Sequence, residues 1–133
     1  MVQVMLSYNK KYAGELGKYL KMMEYTLQDI VLFPENEKPL LLKQDPDVIR
    51  NVMVSKLKAV DALIYLAGDE PPDDIFIDYQ INSALTSNIP VVPVRIPSTR
   101  GVLPECLAQR KPIKMQSMNV KLDLWEQLKR YYS

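Results

Sequence analysis

The chain has no histidine, a single cysteine and only four glycines among its 133 residues. Without histidine there is no Ser-His-Asp or Cys-His catalysis, no imidazole general base and no His-ligated metal. The lone Cys106 excludes an internal disulfide and a cysteine-built zinc site, so no metal is expected, and it fits a reducing compartment. A charge excess is missing too. Seventeen Lys+Arg against 16 Asp+Glu leave +1, without the basic surplus of a duplex binder, so nucleic acid is not an expected partner. No apolar run approaches the roughly 18–20 residues that cross a bilayer, and the N-terminal MVQVMLSYNKK has no basic-then-apolar signal pattern. The expectation is a cytoplasmic protein with no membrane partner.

What is present suits a globular chain: 47% apolar and 25% charged residues, at a length that makes one domain over residues 1–133. Charge is uneven. Asp69, Glu70, Asp73, Asp74 and Asp78 fall close together, while the chain from Arg95 onward is mostly basic. Solvated surface explains both stretches; a head-to-tail contact between them would permit an open filament.

The order of elements points to an α/β fold. Val2–Ser7 is short and apolar, as in a strand buried on both faces. Asn9 is placed to cap a helix carrying Tyr12, Leu16, Tyr19, Leu20 and Met23 at helical spacing. Asp29–Phe33 forms a second apolar run stopped by Pro34, and Pro34–Gln44 reads as a long loop around Leu40-Leu41-Leu42, either a buried anchor or an exposed assembly patch. Asp45-Pro46 opens a helix with Ile49, Val52, Met53 and Leu57 inward. Ala62–Ala67 is the third strand. Asp74 caps a helix with Ile77, Ile81, Ala84 and Leu85 inward that ends at Asn88. Pro90–Arg95 is a fourth strand whose two prolines suit a position near an edge. Residues 100–109 hold a loop and a short helix, Pro112–Met115 a weak fifth strand, and the last helix carries Leu124, Trp125, Leu128 and Tyr132. Strands alternating with helices imply a three-layer, flavodoxin-like sheet of five parallel strands in the order 2-1-3-4-5, with ligands expected at the carboxyl ends of strands 1 and 3. Met22-Met23 reads as core filler and Cys106 as a buried thiol.

At that edge, Ser7-Tyr8-Asn9-Lys10 lacks the glycines of a phosphate-cradling turn, which excludes dinucleotide and Walker A fingerprints. A phospho-receiver could use Asp69 at the end of strand three, but Ser7-Tyr8-Asn9 offers no acidic residue to hold magnesium. On the next helix Phe76, Tyr79, Gln80 and Ser83 form a stripe beside the apolar one, which sets Gln80 at the margin of the core. From spacing alone, a surface glutamine with an aromatic packed over it is the favoured reading.

Val4-Met-Leu-Ser-Tyr8, the apolar third strand, Phe76-x-x-Tyr79-Gln80-Ile81-x-x-Ala84 and Ile89-Pro-Val-Val-Pro-Val-Arg95 occur in order over nearly the whole chain. Together they resemble a TIR domain, in particular the compact bacterial TIR domains of antiphage systems such as Thoeris. The resemblance implies cleavage of the bond between nicotinamide and ribose in NAD+, a substrate rather than a bound cofactor, yielding an ADP-ribose-derived messenger read by a downstream effector. The family writes the third motif as Trp-x-x-(aromatic)-Glu-Ile-x-x-Ala, its glutamate lying by the ribose. A carboxylate there stabilises the oxocarbenium character of the ribose carbon as nicotinamide leaves. Nicotinamide is already a cationic leaving group, so the absence of histidine is compatible with this chemistry.

Here Gln80 stands at the glutamate position and Phe76 at that of the tryptophan. Gln80 keeps the shape without the charge, and losing such a contribution costs about 10²–10⁴ in rate. NAD+ binding with poor or no turnover is therefore expected. Gln80 is either a deliberate isosteric replacement or the mark of a natural non-catalytic relative, and its active-site-like surroundings favour the replacement. By position in the family, Ser7, Tyr8 and Asn9 would face the ribose and phosphates, Phe33 and the 34–44 loop would gate the site and mediate self-assembly, and Lys43 or Arg50 could meet a phosphate. Phe76 and Tyr79 supply aromatic wall. The competing readings are a non-catalytic TIR module acting by head-to-tail oligomerisation, and the phospho-receiver.

Overall fold

The structure is a computed structural model and describes residues 3–15, 29–72, 75–109 and 112–114. Its centre is a parallel sheet of three full strands: β1 (Gln3–Tyr8), β3 (Ala62–Ala67) and β4 (Val91–Arg95). β1 pairs with β3 from Val4↔Ala62 to Tyr8↔Leu66, and β3 with β4 from Leu63↔Val91 to Ala67↔Arg95. Two short strands flank them, β2 (Asp29–Val31) beside β1 and β5 (Ile113–Lys114) beside β4. All six residues of β3 are buried, which is why that strand reads as one apolar run rather than alternating.

The helices are α1 (Lys38–Leu42), α2 (Pro46–Leu57) and α3 (Ile75–Thr86). Met5, Leu63, Tyr65 and Ala67 on one face of the sheet pack with Ile49, Met53 and Leu57 of α2 and Phe76, Ile77, Ile81 and Ala84 of α3. Each of the leucine, isoleucine, methionine and phenylalanine side chains among them, fully buried, contributes about 1.5–3 kcal/mol of transfer free energy. Val52 and Leu85, expected inward, pack only partly buried at the rim. α2 starts after extended Asp45 with Pro46 at its first position, where no N–H is needed, but the Asp45 side chain makes no capping bond. Two residues past the end of α3, Asn88 has a φ of 58°, the left-handed conformation asparagine tolerates just beyond a helix terminus. Pro93 faces Tyr65 on the β3 side, while β5 pairs only with Val94 and Arg95, so the missing proline N–H removes nothing from that short ladder.

Several expectations need correction. Pro34–Gln44 is not a plain loop: a 3-10 helix (Glu35–Glu37) runs into α1, with Leu41 buried as an anchor and Leu40 exposed. Pro39 is compatible because it falls in the first turn of α1. After β1, residues Lys10–Glu15 form a 3-10 helix, and the Asn9 side chain reaches the loop beyond β3 instead of capping it. Cys106 is exposed, because in the 3-10 helix Glu105–Leu107 the buried residue is Leu107. Tyr19, Leu20, Met22, Met23, Asp74 and the final helix lie outside the described residues. Among the described residues, no helix is long and apolar enough to cross a membrane.

Candidate functional site

The carboxyl end of β1 carries an uncommon feature for a parallel sheet: buried polar side chains. Ser7 is fully buried and Gln80, on the second turn of α3, is 2% exposed. The Ser7 hydroxyl donates to the Gln80 Oε1 at 2.7 Å, and Gln80 Nε2 lies 3.7 Å from the Met5 sulfur, a weak acceptor. Ser7 and Met5 share a strand face by the two-residue period of the pleat, and that face looks at α3. Gln80 is thus no surface glutamine. A buried amide costs a few kcal/mol unless paired, and the Ser7 bond offsets much of that.

Tyr8 follows Ser7 on β1, and Phe76 precedes Gln80 by one turn on α3. Between these two rings stands a residue that sequence reasoning missed: Lys38 Nζ is 4.9 Å from the centroid of Tyr8 and 4.9 Å from that of Phe76. Phe33 meets Phe76 edge-on at 4.9 Å, and Lys56 Nζ lies 5.6 Å over the Phe33 ring. Ammonium groups are drawn to the negative faces of aromatic rings, by about 0.5–1 kcal/mol when exposed and ~2 when desolvated. A lysine in a proline-flanked segment carries no sequence signal for such a contact.

Asn9 is 3% exposed; its Nδ2 donates to the Glu70 carbonyl at 3.4 Å, while its buried Oδ1 has no hydrogen-bond partner among the described residues. Ser7, Tyr8, Phe33, Phe76 and Gln80 are therefore brought together, with Asn9 next along the chain. Tyr79 packs half-buried at the rim of the core. Lys43 is exposed just after α1, and no contact among the described residues joins it to this group. Arg50 pairs with Asp47 at 3.1 Å on the surface of α2.

A second polar group surrounds the exit of β3. Gly68 lies so close under the Tyr12 ring that a Cβ would overlap it, and the Tyr12 hydroxyl accepts from the Asp69 amide at 3.0 Å. Asp69 accepts from the Arg100 amide at 2.9 Å, and Lys11 bridges Glu70 at 2.9 Å. The hydrogen bond to Glu70, and then its charge, raise the Lys11 pKa above the ordinary lysine value. Asp69 is thus tied to the loop after β4. Among the described residues no group of three acidic or cysteine side chains could hold a metal ion.

With this geometry in hand, the likeness to solved structures is informative. The chain matches the crystal structure of the IL-17 receptor B SEFIR domain with a TM-score of 0.61, over 98% of this chain and 96% of that one, at 10% identity. The fold is TIR-like. At that identity the likeness speaks for the fold alone. Phosphoheptose isomerase GmhA from Neisseria gonorrhoeae aligns over 97% of this chain and 74% of that one at 9% identity, with a TM-score of 0.47. No protein-family model and no curated protein matches the chain.

Proposed function

We propose that this chain is an NAD+-binding TIR domain of bacterial antiphage defence, completed as a five-stranded flavodoxin-like sheet of order 2-1-3-4-5. Its ancestral chemistry is cleavage of the nicotinamide–ribose bond to make a signalling nucleotide, and Gln80 holds turnover low. The observation that carries the reading is the sealed Ser7–Gln80 hydrogen bond of 2.7 Å beside the Tyr8 and Phe76 rings. A parallel sheet places ligands at the carboxyl ends of its strands, and that is where this polar pair stands. The Asn9 oxygen offers a buried acceptor for a ribose hydroxyl.

A carboxylate at position 80 would face the developing positive charge on the ribose carbon, and the amide cannot. Gln80→Glu is expected to raise nicotinamide release by about 10²–10⁴ over the parent chain. In that variant, burial beside Met5 and Phe76 pushes the carboxyl pKa upward, so activity should climb with pH as the group ionises. Chromatographic separation of nicotinamide and nucleotide products from both proteins tests this. Equal rates in the two would refute the enzyme reading.

The second reading, a non-catalytic module that self-assembles through the 34–44 segment, draws on the exposure of Leu40 at 64% and of Ile75 at 57%. It predicts concentration-dependent oligomers that weaken when Leu40 is replaced by a charged residue, with no NAD+ turnover in Gln80→Glu.

A further inference from the structure

Lys38 is half-buried at the start of a five-residue helix whose Leu41 is anchored in the core. Its ammonium is equidistant, 4.9 Å, from the Tyr8 and Phe76 rings. Tyr8 follows Ser7 on β1 and Phe76 lies one turn before Gln80 on α3, so the two rings neighbour the residues of the hydrogen-bonded pair. A slot between two aromatic faces selects a positive charge, and this one already holds the protein's own. Two cations cannot share it: the second would meet like-charge repulsion in a partly desolvated space.

We propose that Lys38 is a built-in competitor for this slot, which takes a planar aromatic cation when Lys38 swings out on its flexible stem. The inference rests on the NAD+ reading for its ligand, the nicotinamide ring, which is such a cation. Apparent affinity is then lowered by the fraction of molecules in which Lys38 occupies the slot. Lys38 leaves the slot by rotation of its flexible stem, while buried Leu41 keeps α1 in place.

The test is titration of the full chain, Lys38→Met, Lys38→Gln and Lys38→Arg with 1-methylnicotinamide and with NAD+, followed by NMR. Lys38→Met keeps an apolar stem without the charge and should bind 1-methylnicotinamide about tenfold more tightly than the parent, with Lys38→Gln behaving alike and Lys38→Arg showing no gain. The same gain for NAD+ supports both this inference and the NAD+ reading. A gain for 1-methylnicotinamide with no NAD+ binding by any of the four proteins supports the competitor and removes the NAD+ reading. Folded Lys38→Met and Lys38→Gln that bind 1-methylnicotinamide no more tightly than the parent overturn the inference, whatever NAD+ does.

Discussion

The Ser7–Gln80 pair and the Asp69–Arg100, Lys11–Glu70 group both stand where strands leave the sheet at their carboxyl ends, yet the first is neutral and sealed while the second is charged and open. Ser7 and Gln80 are at most 2% exposed, whereas the Lys11 and Glu70 side chains are 58% and 57% exposed and Arg100 is 78% exposed. In sequence the charged stretch draws the eye, and Asp69 invited comparison with a phospho-acceptor. In the fold its carboxylate accepts a loop amide, and the cluster latches the loops after β3 and β4 together. Exposed ion pairs of this kind contribute little. A neutral polar pair in a parallel-sheet core gives up stability that an apolar pair would supply, and such a cost is characteristic of functional positions.

The comparison can be broken most directly at Gln80. Gln80→Ala leaves a cavity and strands the Ser7 hydroxyl, and should lower unfolding stability by about 2–4 kcal/mol in urea melts. Ser7→Ala in combination with Gln80→Met removes both polar groups at once and is expected to stay within about 1 kcal/mol of the parent, because neither partner is left unsatisfied. A double variant as unstable as Gln80→Ala would show that packing, not polarity, sets the cost of the pair. Asp69→Ala, by contrast, should cost less than about 1 kcal/mol by the same melts, since its ion pair with Arg100 is solvated.

The smallest effect belongs to Lys11. Its pKa is raised in the folded state by Glu70, so the stabilisation is present below the unfolded lysine value and is lost as pH rises through the folded one. Glu70→Gln should therefore lower the melting temperature slightly near neutrality, with the difference from the parent closing as pH rises above about pH 10. A difference that persists undiminished once Lys11 is deprotonated would mean that Glu70 holds the loop through something other than that charge.

How much was legible follows from which forces act locally. The central strands announced themselves because a sheet covered on both faces demands unbroken apolar runs, as at Ala62–Ala67. The inward faces of α2 and α3 followed from helical spacing at Ile49, Met53, Ile77 and Ile81. Residues 38–42 did not read as helical, since Pro34 and Pro39 look like breakers until Pro39 is seen in a first turn. Position 80 could be singled out by motif, but its depth could not: the stripe at 76, 79, 80 and 83 borders the core, and only the Ser7 partner shows on which side Gln80 falls. Lys38 was invisible because its contacts join three segments far apart in sequence.

An NAD+ titration of isotope-labelled protein followed by amide NMR tests the proposed NAD+ site most directly. Shifts concentrated at Ser7, Tyr8, Asn9, Phe76 and Gln80, with the Asp69–Arg100 loops little changed, are predicted. Saturable shifts confined to those loops, or none anywhere at millimolar NAD+, would contradict it.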